Sequence, residues 1–277
     1  MEYDVDLSRT DCGCVAALYV IGMPGIGSDG QPFESTDGLH YCDAQAVGGN
    51  FCPEFDIMEA NQWAYHATSH SCDTPDANGH YTNCDRPGTC DLDIYDHQPD
   101  VNFGPGAQYQ INTLQEFHTK VEFKQDTDGE FSEYSIILTQ DGREVTMTTN
   151  NCKEGLSKMT QDFTNGMVFA MSSWSPNYGD LTWMQHDRCT TPCSQQGLSF
   201  KNLQFNTAAT STNGDNDSTD NTDNSDTTDN TDTTDNGGSS DNTTPITVSD
   251  IVAGFAAIHN NPHYSDTEFS RTLYQVD

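Results

Sequence analysis

Between Cys52 and Asn61 the chain reads Cys-Pro-Glu-Phe-Asp-Ile-Met-Glu-Ala-Asn, which puts three carboxylates, Glu54, Asp56 and Glu59, within six residues. Two carboxyl groups on one surface can split a glycosidic bond, one attacking the anomeric carbon and the other giving and then taking a proton. In a strand, residues i and i+2 share a face, so Glu54 and Asp56 point the same way and Glu59 points to the other side. One extra residue, a β-bulge between Asp56 and Glu59, brings all three together. The two Glu backbones are then about 13 Å apart, four strand steps. Two long side chains leaning inward can close that to the roughly 5–5.5 Å of a retaining nucleophile and acid/base pair. The competing reading is an acidic edge strand with a solvated face.

The elements that must position this strand read as β throughout. Tyr3, Val5 and Leu7 alternate with Glu2, Asp4 and Asp6, the pattern of a half-buried strand, and the apolar run Val15–Met23 reads as a strand buried on both faces. Residues 24–40 are a Gly/Pro/Ser-rich loop, and residues 72–106 read as a long loop pinned by cysteines. Strands are expected at Gln108–Asn112, Phe117–Phe123, Tyr134–Leu138, Val145–Thr149, Met167–Ser172, Leu181–Met184 and Leu198–Phe205. Asp128-Gly129 and Asp141-Gly142 are hairpin signals between alternating runs. Helical periodicity is confined to Lys153–Asp162. Many short strands separated by turns predict an all-β sandwich or jelly roll.

The chain carries 43 acidic and 10 basic residues, a formal net charge of −33. Such a field repels nucleic acid and anionic membranes and suits a neutral polymer as partner. The longest apolar stretch, Val15–Met23, is too short to span a bilayer. Ten cysteines, an even number at high density, predict disulfides and an oxidising compartment. The zinc alternative, with Cys12-Gly-Cys14 and Cys189-x-x-x-Cys193 as ligand pairs, lacks paired Cys-x-x-Cys knuckles. Neither a metal nor a cofactor is expected. The chain opens Met-Glu-Tyr-Asp-Val-Asp-Leu, without a basic segment and apolar run of the secretory type.

Several pieces, in order, resemble glycoside hydrolase family 7, the cellobiohydrolases and endoglucanases. They are Tyr41-Cys-Asp-Ala-Gln45, Cys52-x-Glu-x-Asp-Ile-x-Glu-Ala-Asn61, Thr68-Ser-His-Ser-Cys72, Gly88-Thr-Cys-Asp91, Phe103-Gly-Pro-Gly106 and Gly166-Met-Val-Phe-Ala-Met-Ser172 followed by Trp174. The resemblance covers about residues 2–206. It implies two curved antiparallel sheets with a cleft on the concave face, secretion, and a monomer acting on cellulose or another β-1,4-glucan. Glu54 is implied as nucleophile, Asp56 as the residue holding it, Glu59 as acid/base, and His70 as a histidine beside the acid/base. A loop histidine with a local hydrogen bond is the other reading of His70. Trp174, Tyr178 and Trp183 match product-side sugar contacts, and Arg188 matches a product-binding arginine. Cys42–Cys52 and Cys72–Cys90 match bonded pairs, and Cys12 matches a cysteine bonded far downstream, to Cys189 or Cys193. A second family bridge is lost at both ends, Ala46 and Phe51. Cys84–Cys152 remains as a pairing for two of the unmatched cysteines.

Residue 2 aligns inside the family's catalytic domain, so the resemblance implies that an N-terminal part of that domain is missing. Only six residues separate Gln45 from Cys52, and the segment after Trp183 is short. The family's Tyr-Arg pair before Phe103 is replaced by Gln98-Pro99-Asp100. Shorter loops imply an open cleft and internal cleavage rather than a tunnel. Residues 1–206 are thus read as the catalytic domain and 207–245, nearly all Asn, Asp, Thr, Ser and Gly, as a disordered linker with sequons at Asn216 and Asn242. Residues 246–277 form a tail with a short helix expected around Val248–Ile258 and without cysteine.

Overall fold

The computed structural model describes residues 1–35, 40–175, 181–197, 199–205 and the backbone of Ser270–Gln275. Two antiparallel sheets face each other. The first has the order β10-β9-β8-β1-β12, built from β1 (Glu2–Asp6), β8 (Phe117–Gln125), β9 (Phe131–Gln140), β10 (Arg143–Thr148) and β12 (Ser199–Gln204). The second has the order β13-β11-β2-β3-β4-β5, from β2 (Val15–Ile21), β3 (Glu54–Ala60), β4 (Tyr65–His70), β5 (Cys90–Asp93), β11 (Val168–Trp174) and β13 (Ser270–Gln275). A short parallel pair, β6 (Phe103–Gly104) and β7 (Ile111–Asn112), lies outside both. Among the described residues, four short α-helices, α1 (Pro99–Asn102), α2 (Lys153–Ser157), α3 (Thr160–Asn165) and α4 (Thr182–Gln185), and a 3-10 turn at Ile94–Asp96 occupy connections. The all-β sandwich expected from the turn spacing is present.

Alternation explains the layers. Tyr3 and Val5 of β1, Val121 of β8, and Tyr134, Ile136 and Leu138 of β9 meet Phe55, Ile57, Tyr65, Ala67 and Phe169 of the second sheet in one core. Phe55 sits edge-on to Tyr134 at 4.9 Å and to Phe163 at 5.8 Å. The Tyr134 hydroxyl crosses the core and donates to the carbonyls of Ala67 (2.9 Å) and Cys90 (3.2 Å), tying the second sheet's β4–β5 edge to the first sheet. The unbroken apolar run of β2 follows from burial on both faces: Ala16 and Leu18 enter the inter-sheet core, while Val15, Ala17, Tyr19 and Ile21 join Tyr41, Ala170 and Met184 in a second cluster under the outer surface. The Asp141-Gly142 hairpin has φ of +52° and +75° at its two central residues, the left-handed pair that a two-residue turn requires.

Three expectations are corrected. Leu181–Met184 is not a strand but part of a helical turn, in which Leu181, Met184 and Gln185 are buried at helical spacing. Residues 72–106 are not one loop, since β5, α1 and β6 form within them. Cys72 does not pair with Cys90. Cys72 and Cys84 face each other across an antiparallel bridge and are bonded, whereas Cys90 points into the inter-sheet core and bonds Cys152 at the start of α2, which also removes the Cys84–Cys152 pairing. Cys42–Cys52, Cys12–Cys189 and Cys14–Cys193 complete the set. The 207–245 linker and the expected helix at 248–258 lie outside the described residues. In the tail, Ser270–Gln275 pairs antiparallel with β11, Val168 opposite Gln275.

Candidate active site

The carboxylate strand β3 is bulged. Against β4, Glu54 pairs with His70 and Asp56 with Thr68, but Glu59 pairs with His66, one residue late. Against β2 the same extra residue appears between Asp56 and Met58. Side-chain burial explains why the strand bends here. Phe55, Ile57, Met58 and Ala60 all enter the core. Without the bulge Met58 would turn out and Glu59 would turn in. Burying an unpaired carboxylate costs several kcal/mol, and exposing Met58 forfeits about 2 kcal/mol, so one irregular ladder position is the cheaper arrangement.

Register then lays three rows of side chains across the face of the second sheet that is turned away from the core. The first runs Val168, Ile21, Glu54, His70; the second Ala170, Tyr19, Asp56, Thr68, Asp91; the third Ser172, Ala17, Glu59, His66, Asp93. The alanines on β2 and β11 leave room beside the carboxylates. A pocket of about 220 Å³ opens there, lined by Tyr19, Asp43, Glu54, Asp56, Glu59 and Trp174 among others.

Glu54 is buried and accepts the backbone N–H of Ala44 at 3.0 Å. Burial, then the charges of Asp56 and Asp43, push its carboxyl well above the usual carboxylate range; the His70 charge and the Ala44 N–H pull the other way. Glu59 keeps part of its surface open and is likewise pushed well up, by burial and then by Asp56, against the pull of His70. No backbone N–H among the described residues is seen to donate to it. His70 Nε2 lies 3.1 Å from Asp56 Oδ2, and its Nδ1–H donates to the Asp85 carbonyl at 2.6 Å. Burial works against its charge, but the Asp56 hydrogen bond and the Asp56 and Glu54 charges win, and the imidazole is pushed up to about 10. A charged His70 thus partners Asp56. Gly88 makes this packing possible. It sits at φ +72°, and a Cβ there would lie 2.1 Å from Thr68 Cγ2 and 3.0 Å from His70 Cε1.

The structure gathers Glu54, Asp56, Glu59, His70 and Trp174 in one place. Trp183 is 41% exposed and stands edge-on to His66 at 5.4 Å. Tyr178 lies outside the described residues. Arg188 is turned away from the role the resemblance gave it. Its guanidinium is buried against the carbonyls of Trp63, Pro99 (3.0 Å) and Phe103 (2.6 Å) and between the Trp63 and Tyr109 rings, a fastening for the loop over β6. Two site residues escaped the reading of the sequence. Asp43, whose Oδ1 accepts the Val47 N–H at 2.9 Å, brings a fourth carboxylate to the pocket. His66, which shares a strand face with Thr68 and His70, was legible by parity alone.

The site lies on a two-sheet sandwich, with Glu54, Asp56, Glu59 and Asp43 lining one pocket. In comparison with known proteins, residues 46–154 match the model of glycosyl hydrolase family 7. Endoglucanase EG-1 of Humicola insolens is 28% identical over 242 residues, covering 70% of this chain and 54% of the relative. Endoglucanase EG-1 of Trichoderma longibrachiatum is 29% identical over 240 residues, 76% of this chain and 49% of the relative. Among solved structures, an endoglucanase I complexed with cellobiose superposes with a TM-score of 0.56 at 24% identity, covering 66% of this chain and 57% of that one. A family 7 cellobiohydrolase from Daphnia pulex gives 0.53 at 23%, covering 66% and 58%. Over residues 46–154 the chain is similar to glycosyl hydrolase family 7, and it spans about half the length of the curated relatives it matches.

Proposed function

We propose that the chain hydrolyses β-1,4-glucosidic bonds of cellulose or a related glucan with retention of anomeric configuration. The observation that carries this reading is the bulge in β3, which sets Glu54, Asp56 and Glu59 on one concave face. Glu54 attacks the anomeric carbon in its ionised form as the bond to the leaving oxygen breaks; burial, Asp56 and Asp43 oppose that charge, and the charged His70 and the Ala44 N–H favour it. Glu59, held protonated by burial and by Asp56, gives its proton to that oxygen. The resulting glycosyl ester on Glu54 is cleaved by water, which Glu59, now ionised, deprotonates. Asp56, paired with His70, positions Glu54. Trp174 offers an aromatic face to the apolar side of a pyranose ring.

The short connections around the cleft support internal cleavage over attack at chain ends, and the endoglucanase names of the relatives point the same way. Five disulfides support a working place in an oxidising, extracellular compartment. The test is hydrolysis of cellopentaose followed by proton NMR. The β anomer should form first from the β-linked substrate, and Glu54→Gln and Glu59→Gln should each remove at least about a thousandfold of the rate. Initial formation of the α anomer, or activity unchanged in either variant, would refute the assignment. Binding of the oligosaccharide without any hydrolysis would mark the chain as a carbohydrate-binding sandwich instead.

A further inference from the structure

Beyond the carboxylates, the third row of the concave face ends in a second cluster of acid, imidazole and aromatic groups. His66 follows Glu59 across the ladder, and Asp93 follows His66. Asp93 is therefore about 10 Å from Glu59, two interstrand steps. His66 Nδ1 is 2.8 Å from Thr68 Oγ1, its Nε2 is 3.3 Å from Asp91, and its ring carries the edge of Trp183. Asp93, buried, holds His186 Nε2 at 2.6 Å. His186 in turn stacks on Tyr95, centroids 3.8 Å apart and planes 20° from parallel.

This second arrangement is costly to build. His186 adopts φ +52° and ψ −128°, a backbone conformation that a side chain other than glycine rarely takes. Asp93 also accepts the Tyr95 N–H at 2.8 Å, so one buried carboxylate fixes the imidazole and the backbone of the tyrosine stacked on it. Tyr95 is 36% exposed, and its hydroxyl reaches Asp187 at 3.5 Å. The result is an aromatic surface fixed in advance: Tyr95 stacks on His186, which caps the helix that carries Trp183.

We propose that Tyr95, stacked on His186, is a carbohydrate-binding residue that extends the Trp183 side of the cleft and takes the ring of an uncharged β-linked glucose unit beyond the scissile bond. The inference rests on the glucanase reading given above. A pyranose ring places its C–H face on an aromatic ring, and a ring already immobilised loses little entropy on binding. The exposed carboxylates Asp91 and Asp187 accept hydrogen bonds from sugar hydroxyls and repel acidic sugars, while buried Asp93 stays engaged with His186 and the Tyr95 N–H. The site is thus suited to neutral glucose oligomers and not to uronic acid polymers.

The experiment uses the full chain carrying Glu54→Gln, so that ligands bind without being split. Cellotetraose and cellobiose are titrated by isothermal calorimetry into this parent and into the same chain with Tyr95→Ala or Tyr95→Trp. Tyr95→Ala should weaken binding about five- to tenfold, the scale of one aromatic contact, with an unchanged melting profile, and Tyr95→Trp should restore it to within about twofold. Affinities equal within twofold in parent and Tyr95→Ala would overturn this inference alone. A parent that binds neither sugar, together with an unsubstituted chain that hydrolyses no glucan, would overturn the glucanase reading and this site with it.

Discussion

Gly88 is the residue whose replacement most directly probes the packing under the carboxylate rows. Gly88→Ala places a methyl 2.1 Å from Thr68 Cγ2 and 3.0 Å from His70 Cε1. Two penalties add. The φ of +72° costs a side chain about 1–2 kcal/mol. The overlap with buried Thr68 costs a further 1–3 kcal/mol or so as β4 or the 85–89 turn gives way. The total, about 2–5 kcal/mol, is a large part of the roughly 5–15 kcal/mol that keeps a domain folded. The two penalties can be separated. Thr68→Ser removes the clashing methyl and keeps the hydroxyl that meets His66, for a loss of about 1 kcal/mol by itself. In the double variant the overlap is relieved while the φ penalty remains. Urea midpoints of the four proteins should therefore show a favourable coupling of about 1–2 kcal/mol. The double variant should also regain hydrolytic activity lost in Gly88→Ala, because His70 returns to Asp56. Losses that simply add, within about 0.5 kcal/mol, would show that the methyl of Thr68 is not what Gly88 accommodates.

The pH dependence of stability has a defined sign. The His70 pKa is raised from 6.5 to about 10, so its contribution is complete below pH 6.5 and is lost as pH rises toward 10. Glu54 and Glu59, both raised, act in the same direction above their usual range. Denaturant midpoints should fall from pH 6 to pH 9, and a rise over that interval would contradict the site as described. The disulfides differ in weight as well as in pairing. Cys90–Cys152 spans 62 residues and Cys72–Cys84 spans 12, so removing the first pair should cost about 4 kcal/mol and the second about 3 kcal/mol on a loop-entropy basis. Peptide mapping of the oxidised chain should recover Cys72 with Cys84, and recovery of Cys72 with Cys90 would contradict the β4–β5 register.

Much of this architecture is legible locally. The Glu-x-Asp-x-x-Glu spacing demands a bulge if its carboxylates are to act together, and the neighbouring Phe55, Ile57 and Met58 supply the burial that enforces it. The continuous apolar run of β2 and the two Asp-Gly hairpins read directly from strand and turn chemistry. What escapes is set by contacts between distant segments. Leu181–Met184 is too short for a period to tell helix from strand, and the packing of Met184 and Gln185 decides it. The partner of Cys90 depends on which face of β5 it occupies, which only the register with β4 fixes. The family resemblance gave Arg188 a product-binding role, yet three backbone carbonyls claim its guanidinium. His66, Asp93 and His186 lie far apart along the chain and become a group only when β4, β5 and α4 meet.

The central claim is that Glu54 forms a covalent bond to the sugar, and trapping that bond tests it most directly. A 2-deoxy-2-fluoro-β-cellobioside with a good leaving group slows hydrolysis of the glycosyl ester more than its formation. Intact mass spectrometry of the treated chain should show one added fluorocellobiosyl group, and fragmentation of the peptide containing residues 52–61 should place it on Glu54. Glu54→Gln should take up none. Labelling at Glu59 or Asp56, or turnover of the reagent without any adduct, would contradict the assignment of Glu54 as nucleophile.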